Sequence, residues 1–111
     1  MGKPSDLVQG TLDLLILKTI SLEPKHGWAI AKRIQQISNE VLQVQQGSLY
    51  PALHRLEDRG LLGSEWGVSE NNRKAKYYRL TPAGKKQLIA QATRWEQLVR
   101  AIGRVMKPAS E

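Results

Sequence analysis

The feature that most constrains this fold is a seam of apolar residues in the last quarter of the chain. Thr81 and Pro82 form a strong helix start, because threonine caps a helix N-terminus and proline fits its first turn. After them, apolar residues recur at spacings of 4, 3, 4, 3 and 4, the pattern of a helix that packs against another helix. The residues of this seam are Leu88, Ala92, Trp95, Val99, Ile102 and Met106.

The predicted helix is longer than a small domain can cover. At 1.5 Å per residue, about 25 residues extend for ~38 Å, whereas the whole chain has 111 residues. An apolar seam that leaves its own domain needs a partner, and we expect a second copy of the chain. The sequence therefore predicts a homodimer, with residues 81–111 as a dimerisation helix that follows a first domain at residues 1–80.

A second apolar segment, residues 10–22, predicts another buried helix. Ser5 or Thr11 is a candidate N-cap for it. Apolar residues lie on most sides of this helix, so it must be buried on most sides, and a chain of this size offers little material to cover it. We therefore expect Leu12 and Leu15 to take part in the contact between subunits.

Residues 46–59 predict a helix with one apolar and one polar side. Ser48 is a candidate N-cap, Pro51 is expected in the first turn, and Gly60 is a typical terminator. The opposite side carries hydroxyl, phenol, imidazole and guanidinium groups that suit the major groove of DNA. Periodicity alone is equally compatible with an ordinary surface helix. The candidate recognition residues are Gln46, Ser48, Leu49, Tyr50, Pro51, His54 and Arg55.

Two strands around a basic turn are predicted next. Residues 61–66 and 75–80 have strand character, and turn formers separate them. The tip carries Arg73, Lys74 and Lys76, which suit phosphate or minor-groove contacts, or else form a solubilising turn. A shorter helix at residues 28–38 precedes these elements. The predicted fold class is therefore mainly α with a small β-hairpin wing: a winged helix-turn-helix followed by a long C-terminal helix.

The net charge of +7 is concentrated in the C-terminal part of the chain. Residues 1–71 carry 7 Lys or Arg against 8 Asp or Glu, whereas residues 72–111 carry 10 against 2. A positive field confined to one segment attracts polyanions, of which nucleic acid is the commonest. A solvated basic face that keeps the protein soluble is the alternative.

Several function classes are disfavoured by what the sequence lacks. The chain has no cysteine, which excludes disulfides and thiolate metal sites. His26 and His54 are isolated in sequence, and no phosphate-binding glycine loop, zinc-protease motif or nucleophile elbow occurs. Its apolar runs are too short to span a bilayer, and no secretory signal is evident. We therefore expect a cytoplasmic protein that is not an enzyme and has no cofactor, metal or membrane partner.

Part of the sequence resembles the signature of the PadR family of transcriptional regulators. The resemblance lies in the segment GSLYPALHRLEDRGLL, in Trp66 after it, and in the segment RKAKYYRLTPAGKKQL that follows. The segments GTLDLLILKTIS and HGWAIAKRI are similar to the first two helices of that family. The resemblance covers roughly residues 9–106. Trp28 is a departure, because the family usually has tyrosine there; we expect it to alter local packing more than function.

The resemblance implies a short member with one C-terminal dimerisation helix. Members of the family mostly repress transcription by binding inverted-repeat operators in double-stranded DNA, and many release DNA on binding a small molecule. The family residues that approach DNA correspond to Ser48, Tyr50, Pro51 and His54 on the third helix and to Arg73, Lys74 and Lys76 on the wing.

Trp95 has two interpretations. The first is a hydrophobic dimer contact, since large aromatic residues dominate interface energetics. The second, implied by the resemblance, is that Trp95 and its symmetry mate line an effector pocket for small flat aromatic ligands. Three further functions remain open besides a sequence-specific repressor: a non-specific architectural DNA binder, a protein-interaction module with a winged fold, and a ligand sensor with a secondary role on DNA.

Overall fold

A computed structural model of the chain describes the backbone of residues 4–107 and the side chains of residues 11–107. Four helices and three strands make up this part of the chain. In chain order they are α1 (Pro4–Ile20), β1 (Lys25–His26), α2 (Gly27–Ile37), α3 (Gln46–Asp58), β2 (Leu62–Val68), β3 (Lys74–Leu80) and α4 (Pro82–Met106).

Helix α1 is the central element of the core. It begins at Pro4, so the prediction that Ser5 or Thr11 caps it is wrong: both lie inside the helix. α1 packs against α2, α3 and α4, which surround it because apolar residues occur on most of its sides. The buried core consists of Leu12, Ile16, Leu17, Ile20, Ile30, Ala31, Ile34, Leu49, Ala52, Leu53, Leu56, Leu61, Leu62 and Tyr78.

The turn between α1 and α2 contains a short strand that the sequence did not predict. Lys25 and His26 pair antiparallel with Tyr78 and Tyr77, which gives a three-stranded sheet of order β1-β3-β2. His26 is also the N-cap of α2, and its Nδ1 accepts a hydrogen bond from the backbone N–H of Ala29 at 3.3 Å. Lys25 and His26, directly before α2, thus connect this helix to the sheet.

Helix α3 begins two residues before the predicted cap. Gln45 is the N-cap, so Ser48 is the third helical residue and not the cap. Pro51 is the sixth helical residue and lies in the second turn, where its missing N–H leaves one helical hydrogen bond unmade. The predicted terminator is confirmed: Gly60 has φ 77°, and Leu61 N–H donates to the Leu56 carbonyl, as in a Schellman motif.

Strands β2 and β3 form the predicted hairpin and extend one or two residues further than expected. Leu62 pairs with Leu80 at the base and Val68 with Lys74 at the tip. Because side chains alternate across a sheet, Trp66 and Lys76 lie on the same face.

Helix α4 confirms the predicted start and length. Thr81 Oγ1 accepts from the N–H of Gly84 at 3.0 Å, and Pro82 occupies the first turn. The first part of the helix packs against α1 and β3, whereas every residue from Thr93 to Lys107 is exposed. The described chain is accordingly elongated, with extents of 58 × 29 × 23 Å. This is the predicted architecture, a mainly helical winged helix-turn-helix followed by a long C-terminal helix.

Candidate nucleic-acid interface

A cleft of about 760 Å³ separates α3 from the hairpin. One wall is the outward face of α3, and the other is the hairpin with the turn that joins its strands. The floor lies at the start of α2. The side chains and backbone that line the cleft belong to His26, Gly27, Trp28, Tyr50, His54, Trp66, Ser69, Glu70, Asn71, Arg73, Lys74, Ala75, Lys76 and Tyr78.

The side chains of α3 divide into a buried side and an exposed side, as the helical periodicity predicts. Leu49 is wholly buried, so it anchors the helix and does not reach outward with the other candidate recognition residues. Ser48 is half-buried, and Tyr50 and His54 are exposed on the wall of the cleft. The remaining exposed candidates on this helix are Gln46, Pro51 and Arg55, and Arg55 forms an ion pair with Asp13 of α1 at 3.3 Å.

Tyr50 is held in place by a glycine of another helix. A Cβ atom on Gly27 would lie 2.8 Å from both Cε1 and the hydroxyl oxygen of Tyr50, so only glycine allows this contact. The ring therefore rests against the first residue of α2 while 39% of the side chain remains exposed. This close approach places the ring directly against α2 at the cleft wall.

The hairpin wall alternates aromatic rings with lysines. Lys74 Nζ lies 5.1 Å from the centre of the Trp66 ring, and Lys76 Nζ lies 5.6 Å from the Tyr78 ring. Within the described residues, neither the Arg73 guanidinium nor the Lys74 ammonium has a carboxylate partner, and both residues are exposed. These two cations are therefore available to an anion that approaches the turn.

Lys76 differs from its two neighbours, although sequence reasoning grouped the three. Its ammonium forms an ion pair with Glu57 of α3 at 3.2 Å, and both side chains are about 70% buried. The second oxygen of Glu57 accepts a 2.5 Å hydrogen bond from the Ser64 hydroxyl. That hydrogen bond and the Lys76 ammonium together lower the pKa of Glu57, against the opposing effect of burial.

The turn of the hairpin is tied to α2 through His26. Because Nδ1 of the ring accepts from Ala29, the ring proton lies on Nε2, which donates to Glu70 Oε1 at 3.0 Å. The backbone N–H of Glu70 itself and the His26 ring lower the pKa of this carboxylate. His26 is otherwise enclosed by the rings of Trp28 and Tyr77.

Sequence reasoning missed the structural roles of His26, Glu57, Ser64 and Glu70. The partners in the His26–Glu70 pair are 44 residues apart, and those in the Glu57–Lys76 pair are 19 apart. Only the position of His26, two residues before the predicted helix at residues 28–38, gave a local signal, because N-cap residues occur close to a helix start.

The predicted dimerisation residues fall into three groups. Leu12 is 1% exposed and belongs to the core of its own chain, so it presents no surface to a second subunit. Leu15, Leu88 and Ala92 are half-buried within the chain. The exposed part of the seam consists of Trp95, Val99, Ile102 and Met106, whose side chains are 43% to 75% exposed.

Neither a cluster of metal-ligating side chains nor a membrane-spanning helix occurs in the part of the chain that the structure describes. No group of three or more His, Cys, Asp or Glu side chains there could hold a metal ion. None of its helices combines the length and the apolar character needed to cross a membrane.

An outward-facing third helix, a cationic hairpin beside it and a long terminal helix define the winged helix class of transcriptional regulators. The model of the PadR-like family of transcriptional regulators matches residues 16–90. The chain belongs to this family, whose members are transcriptional regulators and not enzymes.

Similar proteins support the same assignment. Transcriptional regulator Rv3488 of Mycobacterium tuberculosis is 43% identical over 61% of this chain and 63% of its own length. The structure of a transcriptional regulator from Clostridium thermocellum is 31% identical, has a TM-score of 0.83 and covers 93% of this chain and 100% of its own. A PadR-like regulator from Bacillus cereus is 26% identical and has a TM-score of 0.80. The match covers 93% of this chain and 98% of the Bacillus cereus chain.

Proposed function

We propose that this protein is a homodimeric repressor that binds an inverted-repeat operator in double-stranded DNA. The observation that carries the proposal is the cleft in which Tyr50 and His54 face the cations of the hairpin. A major groove is ~12 Å wide and admits an α-helix, while phosphates on its edge attract cations beside it. Helix α3 would thus read bases, and the hairpin would bind the sugar-phosphate backbone.

Residues are assigned within this proposal by their exposure and partners. Tyr50 and His54 are the base readers, and Gln46, Ser48, Pro51 and Arg55 lie around them on the same helix. Arg73 and Lys74 are the phosphate contacts, because both are exposed and have no carboxylate partner within the described chain. Backbone N–H groups at the start of α3 are a further source of phosphate contacts, since no side chain caps this helix.

The homodimer is inferred from the second half of α4. Every residue from Thr93 to Lys107 is exposed, although this segment carries large apolar side chains. A contiguous apolar surface of this kind marks an interaction site, because its burial against another apolar surface is favourable in water. A two-fold dimer would present two copies of α3, and two-fold symmetry in the protein requires an inverted repeat in the DNA.

Trp95 is assigned to the contact between subunits. Its indole is 43% exposed in the single chain and lies in line with Val99 and Ile102. A site for a small flat aromatic effector between the two Trp95 rings is the second candidate role of this part of the seam, and the half-exposed ring is its support. Release of DNA by such an effector would make the repressor inducible.

Selection of bound sequences from a random DNA pool tests the proposal directly. We expect enrichment of one inverted repeat whose half-sites are separated by one helical turn, ~34–36 Å. Recovery of random sequences with a steep salt dependence would instead indicate an architectural DNA binder. Failure to retain any DNA would indicate a winged domain that binds proteins.

His54→Ala is expected to weaken binding to the selected operator by ~1–3 kcal/mol if the imidazole contacts a base edge. Binding to random DNA should change much less, because it depends on Lys and Arg contacts to phosphate. Titrations of both DNAs by fluorescence anisotropy measure the difference. The control is Gln36→Ala, an exposed side chain of α2 that does not line the cleft. An equal loss on both DNAs would mean that His54 contacts a phosphate.

Lys74→Met is expected to reduce the salt dependence of DNA binding. Each lost phosphate contact lowers the slope of log affinity against log salt concentration by ~0.9, on operator and random DNA alike. The matched control is Lys107→Met, because Lys107 is an exposed lysine at the C-terminal end of α4 that does not line the cleft. An unchanged slope in the Lys74 variant would identify the hairpin tip as a solvated turn.

A further inference from the structure

We propose that Glu57 is a positioning residue that fixes the hairpin against the recognition helix, and that Lys76 serves this contact and does not bind phosphate. The proposal rests on the DNA binding proposed above. It divides the basic hairpin residues into two functional groups that sequence alone treats as one.

The geometry of Glu57 is that of a clamp between three elements. The residue lies in the last turn of α3. Its Oε2 accepts from the Ser64 hydroxyl on β2 at 2.5 Å, and its Oε1 accepts from Lys76 Nζ on β3 at 3.2 Å. One carboxylate therefore connects the recognition helix to both strands of the hairpin.

The clamp stands in line with the proposed base readers. Tyr50, His54 and Glu57 are spaced by four and three residues, so they share one side of α3. The first two line the cleft, as does Lys76, the ion-pair partner of Glu57. Glu57 is thus one of the contacts that set the position of the hairpin relative to Tyr50 and His54, together with the His26–Glu70 pair at the turn.

Burial separates Lys76 from the cations that a phosphate can reach. The Lys76 and Glu57 side chains are 30% and 28% exposed, and the lysine also lies over the Tyr78 ring. Lys74 is exposed, and its ammonium lies over the face of Trp66. Partly buried, hydrogen-bonded charge pairs are costly to separate, because each partner would lose its counter-charge.

A fixed hairpin has a consequence for specificity. Helix α3 and the hairpin would contact neighbouring parts of one duplex, and backbone contacts fix the register of a protein on DNA. If the hairpin moved away from α3, Arg73 and Lys74 would still attract DNA, but they would no longer hold Tyr50 and His54 over one set of bases. Loss of the clamp should therefore reduce specificity more than general affinity.

The experiment compares Lys76→Met, Glu57→Leu and their double variant on operator and random DNA over a range of salt. Each single variant is expected to lose about tenfold in operator affinity, with the double variant losing little more, since residues of one contact are strongly non-additive. The salt slope on random DNA should be unchanged in both single variants. Lys76→Arg, which keeps the ion pair, should restore operator affinity.

A phosphate contact at Lys76 predicts the opposite pattern. Lys76→Met would then lower the salt slope by ~0.9 on both DNAs, and Glu57→Leu would raise affinity for both, because a carboxylate that competes with phosphate would be gone. That result would overturn the proposal.

Ser64→Ala keeps the test decisive if the charge variants fold poorly. It removes one hydroxyl from the clamp without changing any charge, so a loss of operator affinity at constant salt slope can arise only from positioning. Unchanged operator affinity in a folded Ser64→Ala variant would count against the clamp. If the unmodified protein binds neither DNA, the proposed function itself has failed, which is a different outcome from either result above.

Discussion

Gly84→Ala is expected to destabilise the protein by about 3 kcal/mol or more, since the methyl group has no room and backbone must move. A Cβ atom at this position would overlap the carbonyl oxygen of Leu61, which is backbone and not the end of a flexible side chain. The same carbonyl accepts a hydrogen bond from the N–H of Thr81 at 3.1 Å, and Thr81 Oγ1 donates to the carbonyl of Gly60 at 2.7 Å. The substitution would therefore disturb the junction between the end of α3 and the start of α4.

Thermal unfolding followed by circular dichroism measures this effect, with the protein concentration held constant because oligomers have concentration-dependent Tm values. A loss of this size should lower Tm by more than about 10 °C in a domain of this length. The matched control is Gly47→Ala, which adds the same methyl group to a helical glycine that has nothing within 4 Å of it. Equal Tm values for the two variants would contradict the close contact at Gly84.

The second large effect, on the oligomeric state, is expected from substitutions in the exposed C-terminal half of α4. Val99→Asp combined with Ile102→Asp should convert the protein to a folded monomer. Val99 and Ile102 are 46% and 50% exposed in the single chain, so aspartate there remains hydrated when the chain is alone. In the proposed dimer the same carboxylates would be buried without partners, at a cost of about several kilocalories per mole each.

Light scattering gives the result directly. We expect the unmodified protein at about twice the chain mass of 12.5 kDa and the double variant at 12.5 kDa. Ile89→Asp is the control, because Ile89 is an equally apolar residue of α4 that is 67% exposed but lies outside the seam. A monomeric unmodified protein, or a double variant that stays dimeric, would assign the exposed seam to another role.

Loss of the dimer should also weaken operator binding without removing the recognition helix. One α3 would contact one half-site, and the gain from linking two half-sites would be lost. Binding of random DNA should decline less, since it depends on phosphate contacts that each chain makes alone.

The sequence by itself determined the features that arise within a few residues of one another. The cap at Thr81, the end of α3 at Gly60, the apolar side of α3 and the seam of α4 were all predicted from the sequence. Each depends on local backbone conformation or on a repeat of 3.6 residues, and both are encoded in adjacent positions.

Only the tertiary structure decided which of the residues predicted to contact DNA or a second subunit are exposed and free to do so. Leu12 was predicted to contact a second subunit and Leu49 to lie among the recognition residues, but the packing of α1 and α3 buries both in the core of the chain itself. Lys76 looked like Lys74 in sequence, yet folding brought Glu57 to one and not to the other. The strand β1 and the His26–Glu70 contact likewise required segments about fifty residues apart to meet, and such pairings follow from the packing of the whole domain, which no local pattern encodes.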